Sequence, residues 1–444
     1  MLHQHKGPSG QPGGRGLSLG RFESTHRSHC ESPGLMRIFK ALIALLWLCA
    51  CQNPQPKREA IAHLEEGDWR GQIAMNDSIN LPFTFALRLM GKDSFAFHIP
   101  NARDTVKATL RRFGQDSFRV DFPVFANYLT GRITDSTLRG EFVNPDASDY
   151  RLPFQAHLGQ GGRFRGIAPS DIAYAGDWAT WFSPPGRQSK PAIAFFESHG
   201  SAIFGNFRTE TGDYRFLEGQ QRGDSLYLST FDGMLLYYFA IHLGDTLEGV
   251  MYSGRSYYAP FKAYRDSTFH LRDPDSLTYL KEGYQKLEFA LPRVGQLSDS
   301  LNLKDPRFEG KAVVVQIMGS WCPNCLDEGR YLRELYKRYR GEGLEIVGLT
   351  FERAADRATA EKRALKFIRD LDLPYPILLA TATRQEKAEE VLPMLNHIMS
   401  YPTTLYLNRR HELVRIHTGF SGPGSPVYEH FVRENDAFIQ QLLN

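Results

Sequence analysis

An internal repeat is the feature that most constrains how this chain can fold. The tripeptide Gly-Asp-Trp at positions 67–69 recurs at positions 176–178, and the segment Tyr150–Ala156 recurs in similar form as Tyr257–Ala263. These and three further matches keep one order and nearly one offset, 107 to 109 residues, which indicates a tandem duplication. We therefore expect both copies to adopt the same fold.

Within each copy apolar and polar residues alternate, as in Phe118–Phe122 and Ser225–Phe231. A period of two is typical of strands with one buried face. Clusters of Gly, Asp and Ser about every ten residues mark turns between short strands. The pattern predicts an all-β antiparallel meander, sandwich or barrel in residues 66–165 and again in residues 166–265. It leaves open whether the copies form two small domains or one larger sheet structure.

One tryptophan opens each copy, Trp69 in the first and Trp178 in the second. We interpret both as core residues that close one end of a β module, and the alternative is a ligand pocket. Neither copy contains His, Cys or Asp residues at metal-ligand spacing, so nothing in this region indicates catalysis.

The composition excludes several classes of protein. Hydrophobic residues make up 42% and charged residues 23% of the 444 residues, as in chains with ordinary folded cores. A largely disordered protein and a multi-span membrane protein are therefore excluded. Lys and Arg total 53 against 50 for Asp and Glu, so the chain is nearly neutral and nucleic acid is not an expected partner.

The N-terminal segment has the layout of an export signal. Two positive charges precede the apolar run Ala41–Cys51, which is too short to span a membrane as a helix. Leu48–Cys51 resembles a bacterial lipobox, and the resemblance implies that Cys51 is lipidated and becomes the mature N-terminus. We therefore assign residues 1–51 to a pre-start or disordered segment and a lipoprotein signal peptide, and residues 52–65 to a linker.

A different pattern follows the repeat. Residues 266–289 are a charged connector with a short predicted helix around Leu277–Phe289, and residues 290–444 alternate strands and helices. The continuous apolar run Lys311–Met318 predicts a central strand covered on both faces, and it leads through Gly319–Cys325 into residues at helical spacing. The other predicted elements are strands at Leu344–Thr350, Tyr375–Leu379, Thr403–Leu407 and Leu413–Thr418 and helices at Asp356–Leu371 and Val427–Leu443.

The junction between strand and helix carries the chemistry. Cys322 falls at the start of the predicted helix, where free backbone N–H groups stabilise a thiolate, the reactive form of cysteine. Cys325 lies one turn later and can resolve a mixed disulfide. Pro323 is tolerated because the first helical turn has no hydrogen bond to lose. A zinc site would need a second Cys or His pair at ligand spacing, so we expect a redox-active Cys322–Cys325 disulfide and no metal or other cofactor.

Two motifs, Gly319–Cys325 and Ser400–Thr404, resemble the signatures of TlpA/ResA-type thiol–disulfide oxidoreductases. These are membrane-tethered proteins of thioredoxin fold that face the periplasm. The resemblance covers residues 290–444 and implies an α/β thioredoxin fold for them. The duplicated β region lies outside the resemblance, so its role stays open.

The resemblance also implies roles for individual residues. Pro402 is expected to follow a cis peptide bond and to face the cysteine pair, with Tyr401 offering backbone groups to a substrate chain. Trp321 is expected to shield the site. Members of the family carry a glutamate near the cysteines, and Glu352 is the nearest match.

We therefore predict a lipid-anchored thiol–disulfide oxidoreductase of the cell envelope, facing the periplasm. Its expected partners are envelope proteins that carry disulfides and a membrane dithiol electron donor that reduces the pair again. A disulfide-forming oxidase remains an alternative, because sequence does not set the direction of electron flow. A binding lipoprotein whose β modules carry the function is a second alternative, and a copper-delivery protein is a third.

Overall fold

The computed structural model describes residues 64–444 except residues 135, 148, 160, 168 and 170. The predicted signal peptide, the lipidation at Cys51 and nearly all of the predicted linker lie outside these residues. All described residues belong to one compact unit of the chain. Within them, no helix is both long and apolar enough to cross a membrane.

The first copy folds into eight antiparallel strands. They are β1 (Gly67–Ala74), β2 (Asn80–Gly91), β3 (Ser94–Asn101), β4 (Asp104–Phe113), β5 (Ser117–Asp121), β6 (Tyr128–Thr134), β7 (Thr137–Val143) and β8 (Arg151–Leu158). Each strand pairs with the next in chain order and β1 also pairs with β8, so the sheet closes into a barrel. Buried and outward residues alternate along β8, as the period of two predicts.

The second copy repeats this architecture. Its strands are β9 (Gly176–Phe182), β10 (Lys190–His199), β11 (Ala202–Thr209), β12 (Gly212–Asp213), β13 (Leu217–Arg222), β14 (Ser225–Phe231), β15 (Leu236–His242), β16 (Leu247–Ser253) and β17 (Tyr257–Tyr264). Because β10 pairs with both β9 and β11, and β9 pairs with β17, the ring closes here as well. The short strand β12 forms a hairpin with the end of β11. The predicted antiparallel all-β fold is confirmed, in barrel form.

The two tryptophans occupy equivalent places in the two barrels. Trp69 and Trp178 are buried in the cores of the first and second barrel respectively. Each indole Nε1 donates to the carbonyl four residues earlier, that of Glu65 at 3.3 Å and that of Tyr174 at 2.9 Å. A buried indole needs such a partner for its N–H. Both residues are therefore core elements of the repeat.

The barrels keep separate cores, and one contact between them lies inside the core of the first barrel. The β14–β15 connection of the second barrel inserts Phe231 and Leu236 into the core of the first. The ring of Phe231 lies 4.7 Å from that of Phe83 and 5.2 Å from that of Phe122, between centroids. Asn101 Nδ2 also donates to the backbone carbonyl of Phe231 at 2.8 Å. The structure thus contains two barrels that share a buried contact.

The C-terminal region is an α/β domain built on a seven-stranded sheet. Its strands are β18 (Ala290–Arg293), β19 (Gln296–Asn302), β20 (Ala312–Met318), β21 (Leu344–Ala354), β22 (Ile377–Thr383), β23 (Thr403–Leu407) and β24 (Leu413–Thr418), and its helices are α1 (Pro323–Tyr339), α2 (Arg357–Leu371), α3 (Ala388–Val391) and α4 (Tyr428–Leu443). The strand order is β19-β18-β22-β21-β20-β23-β24. Strand β20 lies near the centre with every residue buried, as its apolar run predicts. The predicted thioredoxin-type fold is confirmed.

The predicted helix around Leu277–Phe289 is wrong. A single 3₁₀ turn, Pro274–Ser276, precedes this segment, and the segment itself is not helical. Leu280 instead forms a bridge with Leu395, and Gly283 adopts a positive φ of 89°. The apolar residues that produced the helical pattern contact the sheet domain from an extended chain, so tertiary burial overrides the local pattern.

Candidate redox site

The two cysteines lie at the turn from β20 into α1. Cys322 is the N-cap residue of the helix, with extended φ and ψ of −101° and 119°, and Pro323 follows in the first turn. The Cys322 sulfur accepts a hydrogen bond from the backbone N–H of Cys325 at 3.4 Å. This position aims the unpaired N–H groups at the start of the helix at the sulfur.

The second motif faces this turn. Cys322 Sγ lies 3.1 Å from the backbone oxygen of Tyr401, and the peptide bond from Tyr401 to Pro402 is cis. Only 6% of Cys322 is exposed, and Cys325 is completely buried. Both cysteines are free thiols. The resemblance to the family signatures implied that these two motifs face each other. Cys322 and Tyr401 are 79 positions apart, and no local pattern records a contact over that separation.

Burial distinguishes the second thiol from the first. It raises the pKa of Cys325 well above the ordinary thiol value, and the hydrogen bond and charge of Cys322 act in the same direction, as does the charge of Glu328. Cys325 is therefore a neutral thiol as long as Cys322 is reduced. It needs a proton acceptor before it can act as a nucleophile.

Glu328 is a residue of this site that sequence reasoning missed. Its carboxylate is 2% exposed on α1 and accepts hydrogen bonds from Gln316 at 2.7 Å and Thr404 at 2.6 Å. Burial raises its pKa to about 7, against the lowering effect of these two hydrogen bonds. A signal was present, because Glu328 lies three residues after Cys325 on the apolar face of the predicted helix.

Glu352, the predicted acidic residue, lies at the end of β21. It is buried and accepts hydrogen bonds from the Ser320 backbone N–H at 3.0 Å and the Ser320 hydroxyl at 2.7 Å. The Thr350 hydroxyl donates to it at 2.5 Å. Burial raises its pKa, and these hydrogen bonds oppose the shift. Glu352 therefore fixes the backbone two residues before Cys322, and it is not a solvated loop acid.

Trp321 forms one wall of the site together with a cation. Its indole N–H donates to the carbonyl of Phe351 at 2.9 Å, and its ring meets that of Tyr401 edge-on, 5.3 Å between centroids. The guanidinium of Arg353 stacks 3.7 Å from the Trp321 ring centroid and 5.7 Å from that of Tyr401. No motif singled out Arg353, since its place beside the cysteines depends on the pairing of strands.

An ion-pair cluster joins α1 to both barrels. Arg215 of the second barrel is buried and contacts Asp327 of α1 through two nitrogens, at 3.0 and 3.1 Å. It also pairs with Asp232 at 2.8 Å and with Asp104 of the first barrel at 3.6 Å. The guanidinium of Arg215 therefore pairs with carboxylates from both barrels and from the redox domain. One of these carboxylates, Asp327, lies two residues after Cys325 in the chain.

A Cys-x-x-Cys turn that caps a helix and faces a cis proline loop defines a thiol–disulfide oxidoreductase domain of thioredoxin fold. Residues 281–430 match the Redoxin family. Over these residues the C-terminal region of this chain is similar to redoxin domains of the TlpA/ResA type.

Individual proteins show the same likeness. The chain is 27% identical over 139 residues to the thiol-disulfide oxidoreductase ResA of Halalkalibacterium halodurans, covering 31% of this chain and 69% of that protein. It is 32% identical over 108 residues to the thiol:disulfide interchange protein DsbE of Vibrio cholerae, covering 24% of this chain and 52% of that protein. It is 27% identical over 111 residues to ResA of Bacillus subtilis, so the chain spans about half the length of these last two relatives, 52% and 55%.

Among solved structures, a DsbE-like protein from Chlorobium tepidum matches 37% of this chain and 100% of its own length, at 19% identity and a TM-score of 0.29. The Redoxin match lies in the C-terminal region. Within residues 64–444, the five undescribed positions aside, no group of three or more His, Cys, Asp or Glu residues is placed to hold a metal ion.

Proposed function

We propose that this chain is a thiol–disulfide oxidoreductase that reduces disulfides in proteins of the cell envelope. The observation that carries the proposal is the asymmetry of the pair. Cys322 caps α1 beside the Tyr401 carbonyl, while Cys325 is wholly buried behind it and holds its proton. A nucleophile and a resolving thiol need this division of roles.

The reaction proceeds in two exchanges. The Cys322 thiolate attacks one sulfur of the client disulfide, which breaks the client S–S bond, forms a mixed disulfide and releases one client thiolate. Cys325 then loses its proton and attacks Cys322 Sγ, which releases the second client thiol and leaves a Cys322–Cys325 disulfide. Two electrons have passed to the client, and a membrane dithiol donor supplies two more to the Cys322–Cys325 disulfide and becomes a disulfide itself.

Glu328 accepts the proton of Cys325 in this proposal. Its pKa of about 7 lets it exchange protons near neutral pH, and its charge acts directly on the Cys325 thiol. The resolving step therefore needs an ionised Glu328. Glu352 contributes indirectly by holding Ser320 and thus the approach to Cys322.

Four further residues support the site. The backbone of Tyr401, set by Pro402, pairs with an extended client segment in the manner of an added strand. Trp321 keeps water from the mixed disulfide. Pro323 begins α1 at a position where the backbone N–H that proline lacks would have no helical partner, so the cap at Cys322 is preserved.

We also propose an envelope location with a lipid anchor at Cys51, facing the periplasm. The charged start, the short apolar run and the lipobox-like Leu48–Cys51 support it. In the same scheme residues 66–165 and 166–265 are separate β modules, residues 266–289 connect them to the redox domain, and no metal takes part.

Exchange of each cysteine tests the assignment. Cys325→Ser should leave the first attack intact and accumulate mixed disulfides with envelope proteins, visible on non-reducing gels. Cys322→Ser, the matched control, should abolish both adducts and reduction of a disulfide reporter. Adducts that persist in Cys322→Ser would contradict the roles. Oxidation of reduced clients by the wild-type protein would favour the oxidase, and absence of any exchange would favour a binding lipoprotein.

A further inference from the structure

The second barrel reaches the redox site through the β11–β12 hairpin. The Ser400 hydroxyl donates to the backbone carbonyl of Thr211 at 2.7 Å. Gly419 packs so closely on the hairpin that a Cβ there would lie 2.7 Å from the carbonyl carbon of Thr211. On the other side of the hairpin, a Cβ on Gly212 would overlap the side-chain amide of Asn324.

The residues that make these contacts lie next to the residues that hold the reactive sulfur of Cys322. Asn324 stands between the two cysteines, and Ser400 directly precedes Tyr401, whose carbonyl contacts Cys322. The hairpin therefore lies along the rim from which a client chain would reach Cys322 and the Tyr401 backbone. This agrees with the 6% exposure of Cys322.

The hairpin is held firmly from behind. Asp213 at its end is buried and accepts a hydrogen bond from Asn206 at 3.1 Å. Two residues on, Arg215 is paired with Asp327 of α1 and with Asp232 of its own barrel. A substitution at the hairpin tip can therefore loosen the rim without removing the buried ion pairs.

The opposite side of the site is not covered in this way. Arg353, stacked on the face of Trp321, is exposed, and both Trp321 and Tyr401 are partly exposed. A small disulfide can approach along this side, whereas an extended client segment also needs the rim that the hairpin fills. The two sides therefore differ in the size of the molecule they admit.

We propose that the β11–β12 hairpin of the second barrel is the specificity-determining element of the redox site. In the docked position it excludes protein disulfides and admits small ones, and a protein client must displace it. This inference rests on the proposed function for its meaning in catalysis. The occupancy of the rim is a separate property of the folded chain.

The test compares Gly212→Leu with Gly200→Leu in the full chain. Gly212 has a φ of 131°, and a Cβ there would lie 2.0 Å from the side-chain nitrogen of Asn324 and 3.0 Å from the backbone oxygen of Phe420. Because a φ of 131° is a conformation that leucine rarely adopts, the substitution strains the hairpin itself and is expected to displace it from the rim. Gly200 also has a positive φ, 60°, in a turn of the same barrel, and nothing lies within 4 Å of its Cβ position, so Gly200→Leu is a control for leucine at a turn glycine that has space for it.

The readout is the labelling rate of Cys322, quantified by peptide mass spectrometry with two reagents. Iodoacetamide reports small-molecule access, and a maleimide on a protein-sized polyethylene glycol reports access for a bulky client. Gly212→Leu should raise bulky labelling about tenfold or more, because minor open states are commonly populated at about 0.1–10%. Iodoacetamide labelling should change far less, and Gly200→Leu should leave both rates unchanged.

Equal rates of the two reagents on the wild-type protein, or no change in folded Gly212→Leu, would overturn the proposal. If Gly212→Leu fails to fold, Ser400→Ala decides, since loss of the bond to Thr211 should raise bulky labelling in the same direction and by less. Labelling needs no turnover. If Gly212→Leu shifts the labelling rate but no variant reduces a disulfide, the proposed function is rejected and the role of the hairpin at the rim is retained. If the protein reduces disulfides but the labelling rate does not shift, the role of the hairpin is rejected and the proposed function is retained.

Discussion

The two barrels share one strand order, yet equivalent connections in them dock against different partners. In the first barrel the β5–β6 connection places Val124 and Phe125 in the core of the redox domain. In the second, the facing ends of β14 and β15 place Phe231 and Leu236 in the core of the first barrel, and Met234 between them packs against the redox core. The duplicated pattern therefore specifies the scaffold, and the divergent residues of a single loop specify what the scaffold binds.

The buried polar residues also differ between the two barrels. In the strands and turns described for the first copy, β1 to β8, they are Asn101 and Asn127. Those described between β9 and β17 are Thr180, Asn206, Asp213, Arg215, Ser229, Thr230 and Asp232. Buried polar groups need partners. Asn101 and Asn127 both donate to backbone carbonyls of the second barrel, whereas most of the second set bond within their own barrel. Arg215 is the buried charge through which the second barrel docks on both neighbours.

The largest expected effect comes from Arg215, because its loss removes the closest cation from the buried carboxylates of Asp232 and Asp327 and leaves Asp327 only Arg330, at 3.5 Å. Arg215→Met should lower the free energy of unfolding by about 5 kcal/mol, the upper end for breaking a buried pair. Lys107→Met, at an exposed position near the equivalent place in the first barrel, should change it by less than about 0.5 kcal/mol. Urea denaturation measures both. Similar small losses would show that Arg215 is not the charge through which the second barrel docks.

Phe231 tests the contact between barrels. Phe231→Ala removes a fully buried ring from the first-barrel core and should cost about 3 kcal/mol or more. Hydrogen exchange should accelerate in the first barrel, since the cavity opens there. Phe125→Ala is the counterpart in the other copy and should accelerate exchange in α1 and α2 instead. If both variants loosen the same strands, the equivalent loops do not have separate partners.

Two adjacent acids on α1 sharpen the comparison between chemistry and docking. Glu328→Gln should slow release of the mixed disulfide about 10²-fold near neutral pH, because no carboxylate then accepts the proton of Cys325. The wild-type rate should rise with pH through about 7, the pKa of Glu328, and this inflection should vanish in the variant. Asp327→Asn, whose side chain contacts Arg215, should retain the inflection. Stopped-flow measurement of client release at several pH values distinguishes them.

The last expected effect is a pH dependence that arises in the second barrel. Burial, with the charge of Asp327, raises the pKa of Asp213 from 3.8 to about 7. A raised acid pKa gives stability that is complete below pH 4 and is lost as pH rises through 7, with a slope of at most about 1.4 kcal/mol per pH unit. Asp213→Asn should flatten the dependence of the unfolding free energy between pH 4 and pH 7. If the pH dependence of the unfolding free energy is the same in Asp213→Asn as in the wild-type protein, a group other than Asp213 titrates in this range.

Local sequence patterns predicted much of the redox domain. The strands Thr403–Leu407 and Leu413–Thr418 have the predicted bounds, and α4 begins one residue later than predicted. The hairpin β18–β19 was missed, because its polar residues lie at the edge of the sheet and show no clear alternation. The predicted helix around Leu277–Phe289 failed because helical spacing alone does not distinguish a helix from an extended chain buried by its neighbours.

The sequence by itself determined the duplicated β fold and the strand–cysteine–helix junction, because each depends on local patterns of residues, and the resemblance to a family signature implied the facing proline motif. Only the tertiary structure decided that Gln316 and Thr404 hold the buried Glu328 carboxylate, that Arg353 stacks on Trp321, and that Thr211 contacts Ser400. These pairs depend on how strands pair and how modules dock. Docking is decided by the fit of whole surfaces, so no spacing along the chain records it.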